Sequence, residues 1–272
     1  MSRHDDTAAG PAGRQGTAIL SCMKKIRLDT LLVRRGLAPD VDAALRAVLA
    51  HEVKVGDTYA TSAAAMVAPD AAIAVKGRKE FVSRGGHKLQ GALRAFDQSV
   101  AGLRCLDVGA STGGFTDCLL QAGAQSVTCV DVNYGQLAWK LRQDARVRVF
   151  ERTNVKSVDP ATLGAPFNLI VADVSFIGLA GLAPVFARFS SQGTVFVGLV
   201  KPQFESRHDE TDKGVVRDEA VRLRTVTEVE EALSVAGFRS TGVVESPLTG
   251  PQGNVEYLVR AVFSLEEEGS DS

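Results

Sequence analysis

The spacing of apolar positions changes along the chain and divides it into segments. Leu28, Leu31 and Leu32 recur at helical spacing and end at Gly36. After Pro39-Asp40, the residues Val41, Ala44, Leu45, Val48 and Leu49 form a second apolar stripe of the same period. These patterns predict two short amphipathic helices, the first closed by glycine and the second opened by Pro-Asp. The period then drops to two in Val53-Lys54-Val55, Gly56-Asp57 turns the chain, and another short strand is expected over 72–75. A polar stretch from Lys76 to Lys88 reads as a linker into a helix over 89–96. From Leu103 onward, apolar runs of strand length alternate with helical patterns. Strands are expected at 103–108, 126–130, 147–150, 167–172, 194–200, 242–245 and 255–263, and helices at 115–122, 137–142, 179–189 and 219–236. Such alternation predicts an α/β domain with a doubly wound, largely parallel sheet. The last two strands are joined by a loop too short for a parallel crossover, so they should pair antiparallel.

The resulting division is 1–23 a disordered extension, 24–80 a small α+β unit, 81–88 a linker, 89–265 the α/β domain and 266–272 a charged tail. Length agrees, since 272 residues exceed what one typical domain needs. Met23 stands just before the first organised segment, which makes it a second candidate start. No apolar core of signal-peptide length and no run of eighteen apolar residues occurs, so no membrane span is expected. The four cysteines are scattered without a Cys-x-x-Cys pair. That spacing suggests neither zinc nor a disulfide framework, but free buried thiols in a reducing cytoplasm.

The stretch Asp107-Val-Gly-Ala-Ser-Thr-Gly-Gly-Phe-Thr-Asp117 joins the first long strand to a helix. Gly109, Gly113 and Gly114 allow a sharp turn and close approach to a ligand, at a helix start whose N–H groups are free. Asp131 ends the next strand, about twenty residues on, where an acid suits a ribose diol. The spacing is neither Gly-x-Gly-x-x-Gly nor a triphosphate loop, and it fits an S-adenosylmethionine loop better than either. An ordinary tight strand-to-helix turn has the same residues.

Net charge is −1 overall, which points to no nucleic-acid partner. Its distribution does: between Lys24 and Lys79, ten Lys/Arg oppose six acids, a net of +4. A localised basic face favours a phosphate backbone, although a solvated charged face has the same composition. Aromatic residues are nearly absent there, so shape and phosphates rather than stacked bases would be read.

Four charged residues fall where an α/β fold places its chemistry. Asp173 and Lys201 end strands, Glu256 begins the last strand, and Lys88 lies ahead of the first. Each alone suits a solvated strand end. Together they suit removal of a proton from a weakly acidic hydroxyl, such as a ribose 2′-hydroxyl. A lysine can act as base only in its neutral form, and Lys201 is the expected acceptor.

The first unit resembles the RNA-binding domain of small-subunit ribosomal protein four. The resemblance is carried by Arg27-Leu28-Asp29, Leu31 to Ala38, Ala43-Ala44 and Val53 to Asp57. Arg27, Arg34, Arg35, Arg46 and Lys54 are its candidate RNA contacts. Across 25–263 the chain resembles the TlyA family, hemolysin-named ribosomal RNA 2′-O-methyltransferases. The motifs are Val82-Ser-Arg-Gly-Gly-His-Lys-Leu89, the 107–116 loop, Asp131-Val-Asn-Tyr-Gly-Gln-Leu137, Glu151-Arg-Thr-Asn154, Leu199-Val-Lys-Pro-Gln-Phe-Glu205 and Gly253-Asn-Val-Glu-Tyr257. The resemblance implies a Lys88, Asp173, Lys201, Glu256 tetrad shared with FtsJ-type enzymes. It implies S-adenosyl-L-methionine held by Asp107, Gly109, Ala110, Ser111, Thr112, Gly113, Gly114, Phe115, Asp131 and Asn154. It also implies cytidines of ribosomal RNA in ribosomal subunits as substrate, with no metal and no membrane. Some members carry Arg-x-Trp-Val in the linker where this chain has Phe81-Val82, so an aromatic face without an indole N–H is expected there. A membrane-active hemolysin and a non-catalytic RNA-binding assembly protein are the rival readings. The first needs an amphipathic or apolar insertion segment, and the second does not need the four charges.

Overall fold

The computed structural model describes residues 25–77 and 80–264. The expected N-terminal extension and the expected tail lie outside the described residues, as do Arg78 and Lys79 of the polar stretch from Lys76 to Lys88. The chain divides into two compact units, with the boundary at Arg78 and Lys79.

The first unit runs β1 (Ile26–Arg27), α1 (Leu28–Arg34), α2 (Val41–Leu49), β2 (Val53–Val55), β3 (Thr58–Tyr59), β4 (Met66–Val67) and β5 (Ile73–Val75). The β3-β2-β5 sheet is antiparallel, and β1 pairs with β4. Leu28, Leu32, Ala44, Val48 and Val53 form its core. Asp40 caps α2 by accepting from the Ala43 N–H at 2.7 Å, which is why the Pro-Asp pair marks its start. The apolar stripe of α2 is only half covered. Ala44 and Val48 are buried, whereas Val41, Leu45 and Leu49 are exposed, because the unit offers too small a core for a five-residue face.

The second unit runs α3 (Gly85–Ala95), β6 (Arg104–Val108), α4 (Gly114–Gln121), β7 (Ser126–Val130), α5 (Trp139–Arg142), β8 (Val147–Phe150), α6 (Pro160–Leu163), β9 (Leu169–Ala172), a 3₁₀ turn (Ala180–Leu182), α7 (Ala183–Ala187), β10 (Val195–Val200), α8 (Pro202–Glu205), a second 3₁₀ turn (His208–Glu210), α9 (Glu219–Val235), β11 (Phe238–Glu245) and β12 (Tyr257–Phe263). Its seven-stranded sheet has the order β11-β12-β10-β9-β6-β7-β8. The five strands β10, β9, β6, β7 and β8 are parallel, and β12 pairs antiparallel with β10 and β11. One apolar cluster is built around Ile170, Phe186, Phe196 and Phe238, the other around Leu89, Phe115, Leu119 and Val197. Strand β9, covered on both faces, reads as an unbroken apolar run for that reason.

Four expectations need correction. The helix expected at 89–96 begins at Gly85, so Gly85 to Lys88 belong to α3 rather than to a linker. Gly86 is there for packing: a Cβ on it would collide with the Phe81 ring. Phe81 itself is 2% exposed within the second unit, edge-on to His87 at 5.0 Å, and offers no free aromatic face. The helix expected at 179–189 is split into a 3₁₀ turn and α7, whose first turn holds Pro184, a residue that cannot donate a helical hydrogen bond. Strand β11 starts at Phe238 rather than 242, because Gly242 marks a bulge inside the strand and not its beginning.

Candidate active site

The parallel strands run outward from β6 in both directions: β7 and β8 on one side, β9 and β10 on the other. The strand order therefore reverses at the boundary between β6 and β9, and a crevice opens at their carboxyl ends. The two strand ends touch. The Asp173 N–H donates to the Val108 carbonyl at 3.0 Å. Gly109 has φ +81°, and a Cβ on it would stand 2.5 Å from the Asp173 carbonyl oxygen. Only glycine combines that backbone angle with that clearance.

A cleft of about 930 Å³ begins here, lined by Gly109 to Thr112, Gly114 and Phe115 of the loop and by Lys88, Asp173, Lys201 and Glu256. The structure brings the four charged residues together from α3, the end of β9, the end of β10 and the segment before β12. They are arranged as two pairs. Lys88 is ion-paired with Glu256, both side chains being more than nine-tenths buried. Lys201 Nζ lies 2.6 Å from Asp173 Oδ1 and donates to Ser175 Oγ at 3.0 Å. Pro202 follows Lys201, which has extended angles of φ −114° and ψ 98°, and so keeps it at the strand end.

Asp107 lies within β6, fully buried. Its Oδ2 accepts from Thr116 Oγ1 at 2.6 Å, and its Oδ1 has no hydrogen-bond partner among the described residues. Burial pushes this carboxyl up to about 7, with Asp173 and Asp131 adding to the rise and Thr116 opposing it. Gly113, at φ +94°, is the N-terminal cap of α4. On the far side of the loop, Asp131 accepts from the N–H groups of Ser111 and Asn133, each at 2.8 Å. It lines a small second cavity with Ala110, Ser111, Gln136 and Glu151. Asn154 is not brought to either cavity. It is exposed, and its side-chain oxygen accepts from the Lys156 N–H at 2.9 Å in a turn after β8.

Phe176 carried no expectation from sequence. It is 91% exposed, lines the cleft, and has φ +67°, unusual for a non-glycine residue. Its ring lies 5.6 Å from that of Phe204, also in the cleft wall. An exposed phenylalanine beside a strand-end aspartate was the available signal. Asn254 is another. It is 2% exposed, donates to the Gly214 carbonyl at 2.8 Å, and accepts from the Val216 N–H at 3.0 Å. It thereby ties the Asp212–Val215 bridge to the segment bearing Glu256.

The basic residues of the first unit differ in their partners. Arg34 and Arg46 are exposed. Arg35 donates to the carbonyls of Ala71 at 2.6 Å and Pro69 at 2.5 Å, which gives it a structural role within its own unit. Arg27 is ion-paired with Asp29, and Lys54 lies 4.7 Å from the centre of the Tyr59 ring. Cys105, Cys118 and Cys129 are buried, and burial raises all three thiols, Cys105 and Cys118 to about 12, so they are poor nucleophiles. Among the described residues no helix is long and apolar enough to cross a membrane. No His, Cys, Asp and Glu cluster there could hold a metal ion.

Residues 81–263 match the family model described as FtsJ-like methyltransferase. The chain is 46% identical over 239 residues to the 16S/23S rRNA (cytidine-2'-O)-methyltransferase TlyA of Mycobacterium tuberculosis, covering 87% of this chain and 89% of that protein. It is 36% identical over 240 residues to Hemolysin A of Brachyspira hyodysenteriae, covering 88% of this chain and all of that one. A solved hemolysin-named protein from Streptococcus thermophilus superposes with a TM-score of 0.67 at 36% identity, covering 89% of this chain and 90% of that chain.

Proposed function

We propose that this chain, which belongs to the TlyA family of FtsJ-like methyltransferases, transfers a methyl group from S-adenosylmethionine to the ribose 2′-hydroxyl of a cytidine in ribosomal RNA. The observation that carries this reading is the convergence of Lys88, Asp173, Lys201 and Glu256 in one cleft with the glycine-rich loop.

The residues of the loop fit S-adenosylmethionine. Asp107 presents a buried oxygen without a protein donor, Gly109 leaves the backbone bare beside Asp173, and Asp131 supplies carboxylate oxygens toward the second cavity. Gly109 to Thr112, Gly114 and Phe115 in the cleft wall and Asp131 in the second cavity would hold it, with Gln136 and Glu151 at the edge and with Asp107 and Gly113, which line neither cavity, shaping the loop behind it. When bound, the group supplies an electrophilic methyl on a sulfonium whose charge is cancelled by transfer.

This chain's own residues handle the hydroxyl. Lys201 accepts its proton in the neutral amine form, held at the cleft wall by Asp173 and Ser175. Lys88, fixed by Glu256, is an ammonium that stabilises negative charge developing on the hydroxyl oxygen. Because a displacement needs two reactants in line, holding both in one rigid cleft supplies a large share of the rate. The first unit contributes RNA affinity through phosphate contacts of Arg34 and Arg46, without base readout.

Incubation of purified protein with ribosomal subunits and methyl-labelled S-adenosylmethionine tests the reading. Label on a ribose 2′-oxygen of cytidine is expected. Label on a base, or no label on subunits and naked RNA alike, sinks it. RNA binding without transfer would favour an assembly role instead.

A further inference from the structure

Between Asp173 and Leu179 the chain makes a short loop that contributes Asp173, Ser175 and Phe176 to the cleft wall. At its start, Asp173 is fixed through its N–H to Val108 and its carboxylate to Lys201. Ser175 touches Lys201 Nζ, and Phe176 faces the cleft in a left-handed conformation that costs energy for a side-chain-bearing residue. Such a conformation persists only where its surroundings impose it, and Phe176, at 91% exposure, has little packing of its own to do so.

The far end of the loop supplies the missing constraint. Glu205, the last residue of α8, turns its carboxylate onto the loop. One oxygen accepts from the Leu179 N–H and the other from the Ala180 N–H at 3.5 Å. These are free N–H groups at the start of the 3₁₀ turn, where a carboxylate is well placed as a cap. Gly178 makes the approach possible, since a Cβ there would stand 2.6 Å from Glu205 Oε2. Burial raises the Glu205 carboxyl and the two N–H bonds oppose that rise, so the carboxylate gives up water for these partners. Phe204, its neighbour, packs against Phe176, and Lys201 is four residues back. Glu205 therefore connects the loop after Asp173 to the segment after Lys201.

We propose that Glu205 is a positioning residue: it clamps the 174–178 loop so that Ser175 meets Lys201 and the Phe176 ring stands in the cleft, where the nucleotide to be methylated is received. This rests on the methyl-transfer reading above. It touches neither donor nor acceptor and acts through the loop alone.

The full-length protein tests it with three measurements: hydrogen exchange of the Leu179 and Ala180 amides, affinity for S-adenosylmethionine, and steady-state transfer to ribosomal subunits. In Glu205→Ala, exchange at the two amides should accelerate, KM for subunits should rise roughly tenfold, and cofactor affinity should stay within about twofold. Glu205→Gln keeps a carbonyl acceptor and should recover most of the KM. Adding Phe176→Ala to Glu205→Ala should cost little more than either change alone, because both remove the same ordered surface. Unchanged exchange, unchanged KM, or losses that multiply in the double variant overturn the proposal while leaving an active wild type. If Glu205→Ala does not fold, Glu205→Asp, whose shorter side chain withdraws the carboxylate from both N–H groups, takes its place in the cycle. A wild type that transfers no methyl overturns the reaction reading, and this role with it.

Discussion

Lys88, in the second turn of α3, and Glu256, 168 residues further on, form an ion pair buried beside the cleft. Two charges out of water hold each other in place, and each is costly without the other. Lys88→Met should therefore destabilise the second unit by about 3–5 kcal/mol, and Glu256→Gln should do likewise. The double variant should lose much less than their sum. Urea unfolding of the three variants checks this, and additive losses would argue against a coupled pair.

Lys201 is exposed to the test of its proposed chemistry. Lys201→Ala should lower single-turnover methyl transfer by at least about 100-fold, the usual scale of a lost proton acceptor. Cofactor affinity should remain within about twofold. Lys201→Arg keeps the charge opposite Asp173 but cannot give up its proton, so it should be equally slow. A near-normal rate in Lys201→Arg would reduce Lys201 to a positioning charge.

Gly109 tests the loop. Valine there would have to adopt φ +81° and press against the Asp173 carbonyl. Gly109→Val should remove S-adenosylmethionine binding measurable by calorimetry, whereas RNA affinity, assigned to the first unit, should persist. Undiminished cofactor binding would move the site elsewhere.

Asp107 predicts a pH dependence of stability. Its carboxyl is raised from 3.8 to about 7 by burial. Between those values the unfolded chain has lost the proton and the folded one keeps it, so unfolding becomes easier as pH rises. The contribution is fully present below pH 4 and gone above about 7. Asp107→Asn lacks this loss. Its urea midpoint relative to wild type should climb between pH 4 and about 7 and level off above, and parallel profiles would contradict the burial argument.

Arg34 and Arg35 are neighbours with different tasks. Arg34→Ala with Arg46→Ala should flatten the salt dependence of RNA binding by roughly one to two in log–log slope, at unchanged stability. Arg35→Ala should mainly lower the melting temperature of the first unit, since it removes the bonds to Pro69 and Ala71. Equal effects of all three on the salt slope would show that Arg35 also meets phosphate.

The sequence by itself determined the fold class and most of the longer elements. Burial and backbone angle leave local marks: the unbroken apolar run of β9, the alternation from Leu103 onward, and the glycines that turn the loop after β6. It also placed Asp173 and Lys201, because strand ends are visible wherever an apolar run stops at a charge. Partnership left no such mark. That Lys201 meets Asp173 follows from the pairing of β10 with β9, and Lys88 meets Glu256 only once α3 has packed its apolar face against the sheet. The same holds for Phe81, which looked like a linker aromatic and is buried on Gly86, and for Arg35, which looked like an RNA contact and closes its own unit. Glu205 reads as one more acid after a motif. Only packing puts its carboxylate on the two N–H groups that fix the loop after Asp173. Local composition records whether a residue is buried and which angles it adopts, whereas the partner it meets is decided by contacts that local pattern does not record, 25 residues apart for Glu205 and Ala180 and 168 for Lys88 and Glu256.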